Sequence, residues 1–317
     1  MVWALAALGL VILLLAGDAL VKGAVNLSLR LGVPALIVSL TIVAFGTSAP
    51  ELLISISAVL ENAPGIALGN VVGSNTANIL LVLGMPALLA TLHTSECETR
   101  KSYILMLLAS VLFIALAFTG TFHWWSGVIL LAVLAAILGE NVWDVRRHRR
   151  AAANGPAVKE EDLEGADPDM PWWKILTFLV LGLVGLPLGA DLLVDNATKI
   201  ARMYGITETV IGLTLVAVGT SLPELATTVM AALRRQADVA LGNVIGSNMF
   251  NLLAIIGIAS LVGPIPVDEQ FLRFDLWVML GASLLIVPFV FLRRDITRAW
   301  GVGLTAAYLV YLLVVLS

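Results

Sequence analysis

Cysteine is almost missing from this sequence: Cys97 is the sole example, which excludes an internal disulfide framework and a cysteine-built metal centre. Histidine is nearly as rare. His93, His123 and His148 lie at the ends of apolar runs, so neither a zinc-type His-Glu-x-x-His nor a Ser/His pair can be placed within a span. A Gly-x-Gly-Asp aspartyl motif is absent as well, and no enzyme is expected. Charge is scarce too, at 13% of the 317 residues against 60% hydrophobic. With a mean hydropathy of +1.00, these proportions describe a polytopic membrane protein whose main partner is the lipid bilayer. The net charge of −4 owes much to one hydrophilic stretch holding Glu160, Glu161, Asp162, Glu164, Asp167 and Asp169, so nucleic acid is not a partner and no protein partner is evident.

A helix needs about 20 apolar residues to cross about 30 Å of hydrocarbon. That criterion predicts ten spans, at 2–29, 33–60, 66–92, 102–120, 124–143, 172–199, 207–233, 239–263, 274–292 and 299–316. Val2 to Ala16 lacks the basic residues that precede the apolar core of a signal peptide, and is read as the start of the first span. The polar interval from Asp144 to Met170 opens with Arg146-Arg147-His148-Arg149-Arg150, and basic flanks stay in the cytoplasm. With this loop inside, all 18 Lys and Arg residues except Lys199, Arg202 and Arg273 fall on the cytoplasmic side, and both termini lie outside. The expected division is a first unit at 1–143, a cytoplasmic loop at 144–171 read as a solvated linker, and a second unit at 172–317. Trp124-Trp125 and Trp172-Trp173 mark span ends, as an aromatic belt does.

What is unusual lies inside the spans. Ala44-Phe45-Gly46-Thr47-Ser48-Ala49-Pro50-Glu51 recurs as Ala217-Val218-Gly219-Thr220-Ser221-Leu222-Pro223-Glu224, at an offset of 173. The same offset carries Asp18 onto Asp191, Gly69-Asn70 onto Gly242-Asn243, Gly73-Ser74-Asn75 onto Gly246-Ser247-Asn248, and Asn78 onto Asn251, without a gap. Each half then holds five spans, and an odd number makes the second half enter the membrane from the opposite face. The predicted fold is therefore all-α, ten transmembrane helices in two inverted five-helix repeats, an architecture that places ion sites at the midplane between halves.

A carboxylate near the bilayer centre costs about 2.5–3.5 kcal/mol on the insertion scale, so Glu51 and Glu224 at matched positions point to use as a cation site. Gly46 and Gly219 tolerate nonhelical dihedrals, Pro50 and Pro223 suit a first helical turn, and Ser48 with Glu51 (Ser221 with Glu224) has capping-box spacing. Spans 2 and 7 are accordingly expected to be broken there, freeing carbonyls near Ala44 and Ala217. Carbonyls, hydroxyls and carboxylates are hard oxygen ligands suited to Na⁺ or Ca²⁺. In span 3, Asn70, Ser74 and Asn78 share one helical face, beside a Gly69/Gly73 pair that allows close packing; Asn243, Ser247, Asn251, Gly242 and Gly246 repeat this in span 8. Interhelical hydrogen bonding is the competing role for these amides. Asn75 and Asn248 point elsewhere and are read as packing or capping groups. Asp18 and Asp191 fall near helix ends, where interfacial solvation accounts for them.

Gly-Thr-Ser-x-Pro-Glu followed by Gly-Asn-Val-x-Gly-Ser-Asn, both present twice, resembles the α-repeats of the cation/calcium exchanger superfamily, of the prokaryotic Na⁺/Ca²⁺ type. The resemblance implies clustered sites exchanging about three Na⁺ for one Ca²⁺, with spans 1 and 6 sliding past the rest to alternate access. It assigns Glu51 and Glu224 as charged ligands. Thr47, Ser48, Thr220, Ser221, Ser74 and Ser247 would add hydroxyl or carbonyl oxygens, and Ala44 and Ala217 backbone carbonyls. Asn78 and Asn251 would hold the middle position. Part of the superfamily carries Asp where this chain has Asn251, so the site here has two formal charges and exchange should move net charge. No cofactor is implied beyond the transported Na⁺ and Ca²⁺ themselves, and the location implied is the bacterial or archaeal cytoplasmic membrane.

Two other functions remain to be separated. An H⁺/Ca²⁺ antiporter would keep the fold and both acids; its motif usually resembles Gly-Asn-x-x-Glu, whereas hydroxyl-rich Gly-Thr-Ser favours Na⁺. A cation channel would want one continuous pore, which an inverted pair with midplane acids fits less well than a carrier.

Overall fold

The computed structural model describes residues 1–152, 166–206 and 217–316; the side chains of 144–152, 217 and 316 are outside the description. Helices account for nearly all of it. In chain order they are α1 (Val2–Leu31), α2 (Ala35–Thr47), α3 (Ala49–Leu60), α4 (Pro64–Leu89), α5 (Arg100–Ala117), α6 (Trp124–Ala152), α7 (Trp172–Met203), α8 (Leu222–Leu233), α9 (Ala237–Val262), α10 (Phe271–Phe291) and α11 (Arg298–Leu316). Eight of these are long and apolar enough to cross a membrane alone, and α2 with α3, bent by 43° at Ser48, makes a ninth. Of the ten spans expected, the one at 207–233 begins outside the described residues and is seen from Ala217 onward. Of the loop expected at 144–171, residues 153–165 lie outside them, and its first residues, 144–152, continue α6 as helix, since nothing in that stretch breaks it.

A two-stranded antiparallel pairing, β1 (Thr121–Phe122) with β2 (Ile265–Pro266), joins the α5–α6 and α9–α10 connections. A single bridge between Leu92 and Ile296 does the same for the α4–α5 and α10–α11 connections. There the Asp295 carboxylate accepts the Ser95 N–H at 3.0 Å and meets His93 Nδ1 at 3.1 Å. Burial pushes its pKa up, but these partners outweigh that and hold it below the usual carboxylate value.

Two apolar clusters divide the interior. One is built mainly from α1 and α7, through Leu13, Leu20, Leu27, Ile175, Leu179 and Leu186. The other fills the space among α4, α5, α6, α9, α10 and α11. Glycine sets the crossing of α1 and α7: a Cβ on Gly9 would stand 2.7 Å from the Leu193 nitrogen, and one on Gly182 2.5 Å from the Leu20 Cβ. These contacts are images of one another under the 173-residue offset, so the helix pair crosses symmetrically. Without a hydrophobic drive between helices in lipid, such close backbone approach is what holds them together. Outward-facing residues such as Leu15, Leu181 and Val184 are exposed, as suits a surface solvated by acyl chains, and Trp124, Trp172 and Trp173 stand exposed at span ends.

Candidate ion-binding site

The break in the second span falls at Ser48, whose φ of −86° and ψ of 5° leave the helix for one residue before α3 begins with Pro50 in its first turn. Ser221 does the same ahead of α8, with φ −86° and ψ 3° and Pro223 in the first turn. Gly46 is not the hinge that the sequence reading made it. It lies inside a helical turn at Ala44–Thr47, where a Cβ would stand 2.0 Å from the tip of Leu183 of α7. Gly219 likewise faces Val194, at 2.7 Å. Nor do the serines close capping boxes: each sits at the N-cap without a side-chain cap bond, and Ser48 Oγ instead donates to Glu224 Oε1 at 3.2 Å in the other half. The Ala44 carbonyl, expected to be free, accepts the Ser48 N–H at 3.0 Å and the Thr47 hydroxyl at 3.3 Å.

Glu51 and Glu224 open α3 and α8 and are both 1% exposed. Matching clamps hold them. Asn70 Nδ2 donates to the Glu51 carbonyl (3.2 Å) and to Ser55 Oγ (3.1 Å), and Asn243 Nδ2 donates to the Glu224 carbonyl (3.3 Å) and to Thr228 Oγ1 (3.2 Å). Asn70 and Asn243 thus fasten each broken helix to the span beside it. The hydroxyl of Thr47 crosses between halves, donating to Asn243 Oδ1 at 3.2 Å and lying 3.4 Å from Ser247 Oγ.

Four asparagines bridge α4 and α9. Asn75 Nδ2 donates to the Asn248 carbonyl (3.2 Å) and Asn248 Nδ2 to the Asn75 carbonyl (3.4 Å). Asn78 Nδ2 donates to Asn248 Oδ1, and Asn251 Nδ2 to Asn75 Oδ1, both at 3.0 Å. Asn75 and Asn248, read from spacing as packing or capping groups, therefore join the two halves; their recurrence at the offset was the signal available for them. Each helix carries a π-helical stretch here, Asn78–Val82 and Phe250–Ile255, an irregularity frequent at functional sites.

Gly242 and Gly246 lie against α2 as expected, a Cβ on Gly246 standing 2.6 Å from that of Ala44. Gly69 and Gly73 have no such close neighbour among the described residues: a Cβ on Gly69 would meet only Phe271 Cζ, at 3.8 Å, and one on Gly73 nothing within 4 Å. Ser74 is buried on α4 and Thr220 half-buried beside Ser221. Asp18 does not merely face solvent but pairs with Lys22 and Arg234.

Around these residues, several buried oxygens have no hydrogen-bond partner among the described residues: Glu51 Oε2, Glu224 Oε2, Ser221 Oγ, Asn78 Oδ1 and Asn251 Oδ1. Unpaired buried acceptors are costly, about 1–3 kcal/mol each and more when charged. Two carboxylates, amide oxygens and a hydroxyl form a donor set of hard oxygens, which suits a hard cation. The chain matches the family described as sodium/calcium exchanger protein over residues 1–142 and 174–317. It belongs to that family. This exchanger-family chain is 36% identical over 341 residues to the sodium/calcium exchanger MaX1 of Methanosarcina acetivorans, covering 97% of this chain and 96% of that one. It is 34% identical over 312 residues to the inner membrane protein YrbG of Escherichia coli, covering 98% and 95%. Its fold is similar to that of the sodium-calcium exchanger NCX_Mj soaked with zero Na⁺ and Ca²⁺, at a TM-score of 0.82, 32% identity and 98% and 97% coverage. The chain is a multi-pass membrane cation exchanger, an antiporter and not an enzyme.

Proposed function

We propose that this exchanger moves Na⁺ against Ca²⁺ by alternating access, with about three Na⁺ for each Ca²⁺. The observation that carries the reading is the set of buried oxygens without a partner among the described residues, on Glu51, Glu224, Ser221, Asn78 and Asn251, drawn from both halves and holding two carboxylates. Two carboxylates balance one Ca²⁺. The hydroxyls of Thr47, Ser48, Thr220, Ser74 and Ser247 and the carbonyls of Ala44 and Ala217 complete the proposed ligand set as the halves shift. The two halves, 1–143 and 172–317, act as inverted repeats, with α1 and α7 as the sliding pair. Both termini lie outside and the 144–171 loop inside the cytoplasmic membrane, as the distribution of Lys and Arg supports.

The test is radiolabelled Ca²⁺ uptake into liposomes holding the purified protein, under an outward Na⁺ or an outward H⁺ gradient, beside Glu51→Gln and Glu224→Gln. Uptake driven by Na⁺ alone and abolished in both variants is the expected result. Uptake driven only by H⁺ would replace the coupling ion, and uptake without any counter-ion would favour a channel.

A further inference from the structure

The middle of the site raises a question of polarity. An asparagine amide is nearly symmetric in shape, and its oxygen and nitrogen exchange places by a half-turn. Asn78 and Asn251 can offer a cation an acceptor only with Oδ1 inward; turned around, each would aim N–H donors at it. Something must select the orientation, since both residues are 1% exposed and no solvent can do so.

The selection comes from a group that cannot turn. The Asn248 carbonyl belongs to the backbone of α9, and Asn75 must direct Nδ2 at it. Asn75 Oδ1 then faces the opposite way, where only a donor is acceptable, and Asn251 meets it with Nδ2 at 3.0 Å. Asn251 Oδ1 is thereby left facing away, without a partner among the described residues. The mirror sequence runs from the Asn75 carbonyl through Asn248 to Asn78. We infer that Asn75 and Asn248 are positioning residues for cation binding: each, held by a backbone carbonyl of the other half, sets the amide it pairs with, Asn251 or Asn78, with its oxygen toward the cation. Neutral acceptors are thus presented without adding a third charge. The inference rests on the cation site proposed above and deepens it.

Equilibrium binding of radiolabelled Ca²⁺ to the purified, detergent-solubilised full-length protein tests it. Loss of a residue that orients a metal ligand weakens affinity by about 10–100-fold, and Asn75→Ala and Asn248→Ala are each expected to do so. A double-mutant cycle separates positioning from general damage. Asn75→Ala is expected to cause no further loss in the Asn251→Ala background but its full loss in the Asn78→Ala background, and Asn248→Ala the reverse. If Asn75→Ala does not fold, Asn75→Leu, close to Asn in shape, carries the same cycle. Equal losses in both backgrounds, or affinities within about twofold of wild type for the single variants, would overturn the positioning role while leaving the exchanger reading intact. No Ca²⁺ binding by the wild-type protein would overturn that reading and this inference together.

Discussion

Asp18 of α1 and Arg234, the residue that caps α8, form an ion pair joining the two-helix bundle to the layer that carries Glu224. Lys22 Nζ lies 2.9 Å from the other Asp18 oxygen, so one carboxylate is held by two cations. Asp18 and Arg234 side chains are each 20% exposed, between the open surface, where pairs contribute at most about 1 kcal/mol, and full burial, where breaking one costs about 3–5. Arg234→Ala and Asp18→Asn are each expected to destabilise the protein by about 1–3 kcal/mol, read by thermal unfolding in detergent. The double variant should lose little more than either alone. Additive losses would show that the two residues are energetically independent. Under the 173-residue offset their images are Asp191 and Glu61, two acids that cannot pair, so the latch exists on one face only.

What the sequence made legible was what is costly in lipid. Glu51 and Glu224 stood out because an acid in an apolar run needs a reason, and their repetition exposed the two halves. What it hid depended on partners far along the chain. The crowding at position 46 comes from Leu183, and only the packed structure brings the tip of that side chain to 2.0 Å from a Cβ there. Helical spacing sets Asn75 off the face shared by Asn70, Ser74 and Asn78, but could not show that its partner is Asn248 in the other half. Ser48 had capping-box spacing to Glu51, yet the buried Glu224 carboxylate is the stronger acceptor for its hydroxyl.

Ser48 and Ser221 occupy matched positions but make different bonds, and removing them should have different effects. Ser48→Ala leaves Glu224 Oε1 without its donor, an expected loss of about 1–3 kcal/mol in ion-free stability. Ser221 Oγ has no partner among the described residues, so Ser221→Ala should leave ion-free stability within about 0.5 kcal/mol while weakening Ca²⁺ binding. Unfolding midpoints in chelator, compared with those in Ca²⁺, distinguish the two. Equal destabilisation in chelator would remove the distinction.

Close packing at α9 is less forgiving than at α2. A Cβ on Gly246 would meet the Ala44 Cβ at 2.6 Å and the Leu40 carbonyl oxygen at 2.7 Å, both on or next to the backbone. The corresponding clash at Gly46 is with the tip of Leu183, which can change rotamer. Gly246→Ala should therefore cost at least about 1–3 kcal/mol, the usual range for an overpacked core, and Gly46→Ala less. Thermal unfolding of the two variants would contradict this if Gly46→Ala proved the more damaging.

Charge transfer gives the sharpest test of the proposed stoichiometry. Glu51 and Glu224 neutralise one Ca²⁺, whereas three Na⁺ leave one positive charge uncompensated, so the Na⁺ step should carry the voltage dependence. A full elementary charge crossing 100 mV gains or loses about 2.3 kcal/mol. In Na⁺-loaded vesicles, an imposed inside-positive potential should speed Ca²⁺ uptake and an inside-negative one should slow it; exchange of two Na⁺ per Ca²⁺ would ignore the potential. Ca²⁺ for Ca²⁺ self-exchange, in which the loaded site is neutral, should not respond. Asn251→Asp adds a third negative charge at the middle position, leaving the three-Na⁺ state neutral and the Ca²⁺ state negative. If the substituted chain keeps the same stoichiometry, one charge still moves per cycle, but the voltage dependence passes to the Ca²⁺ step and self-exchange becomes sensitive to potential. Voltage-insensitive self-exchange in an active Asn251→Asp protein would show that position 251 lies outside the field-sensing site.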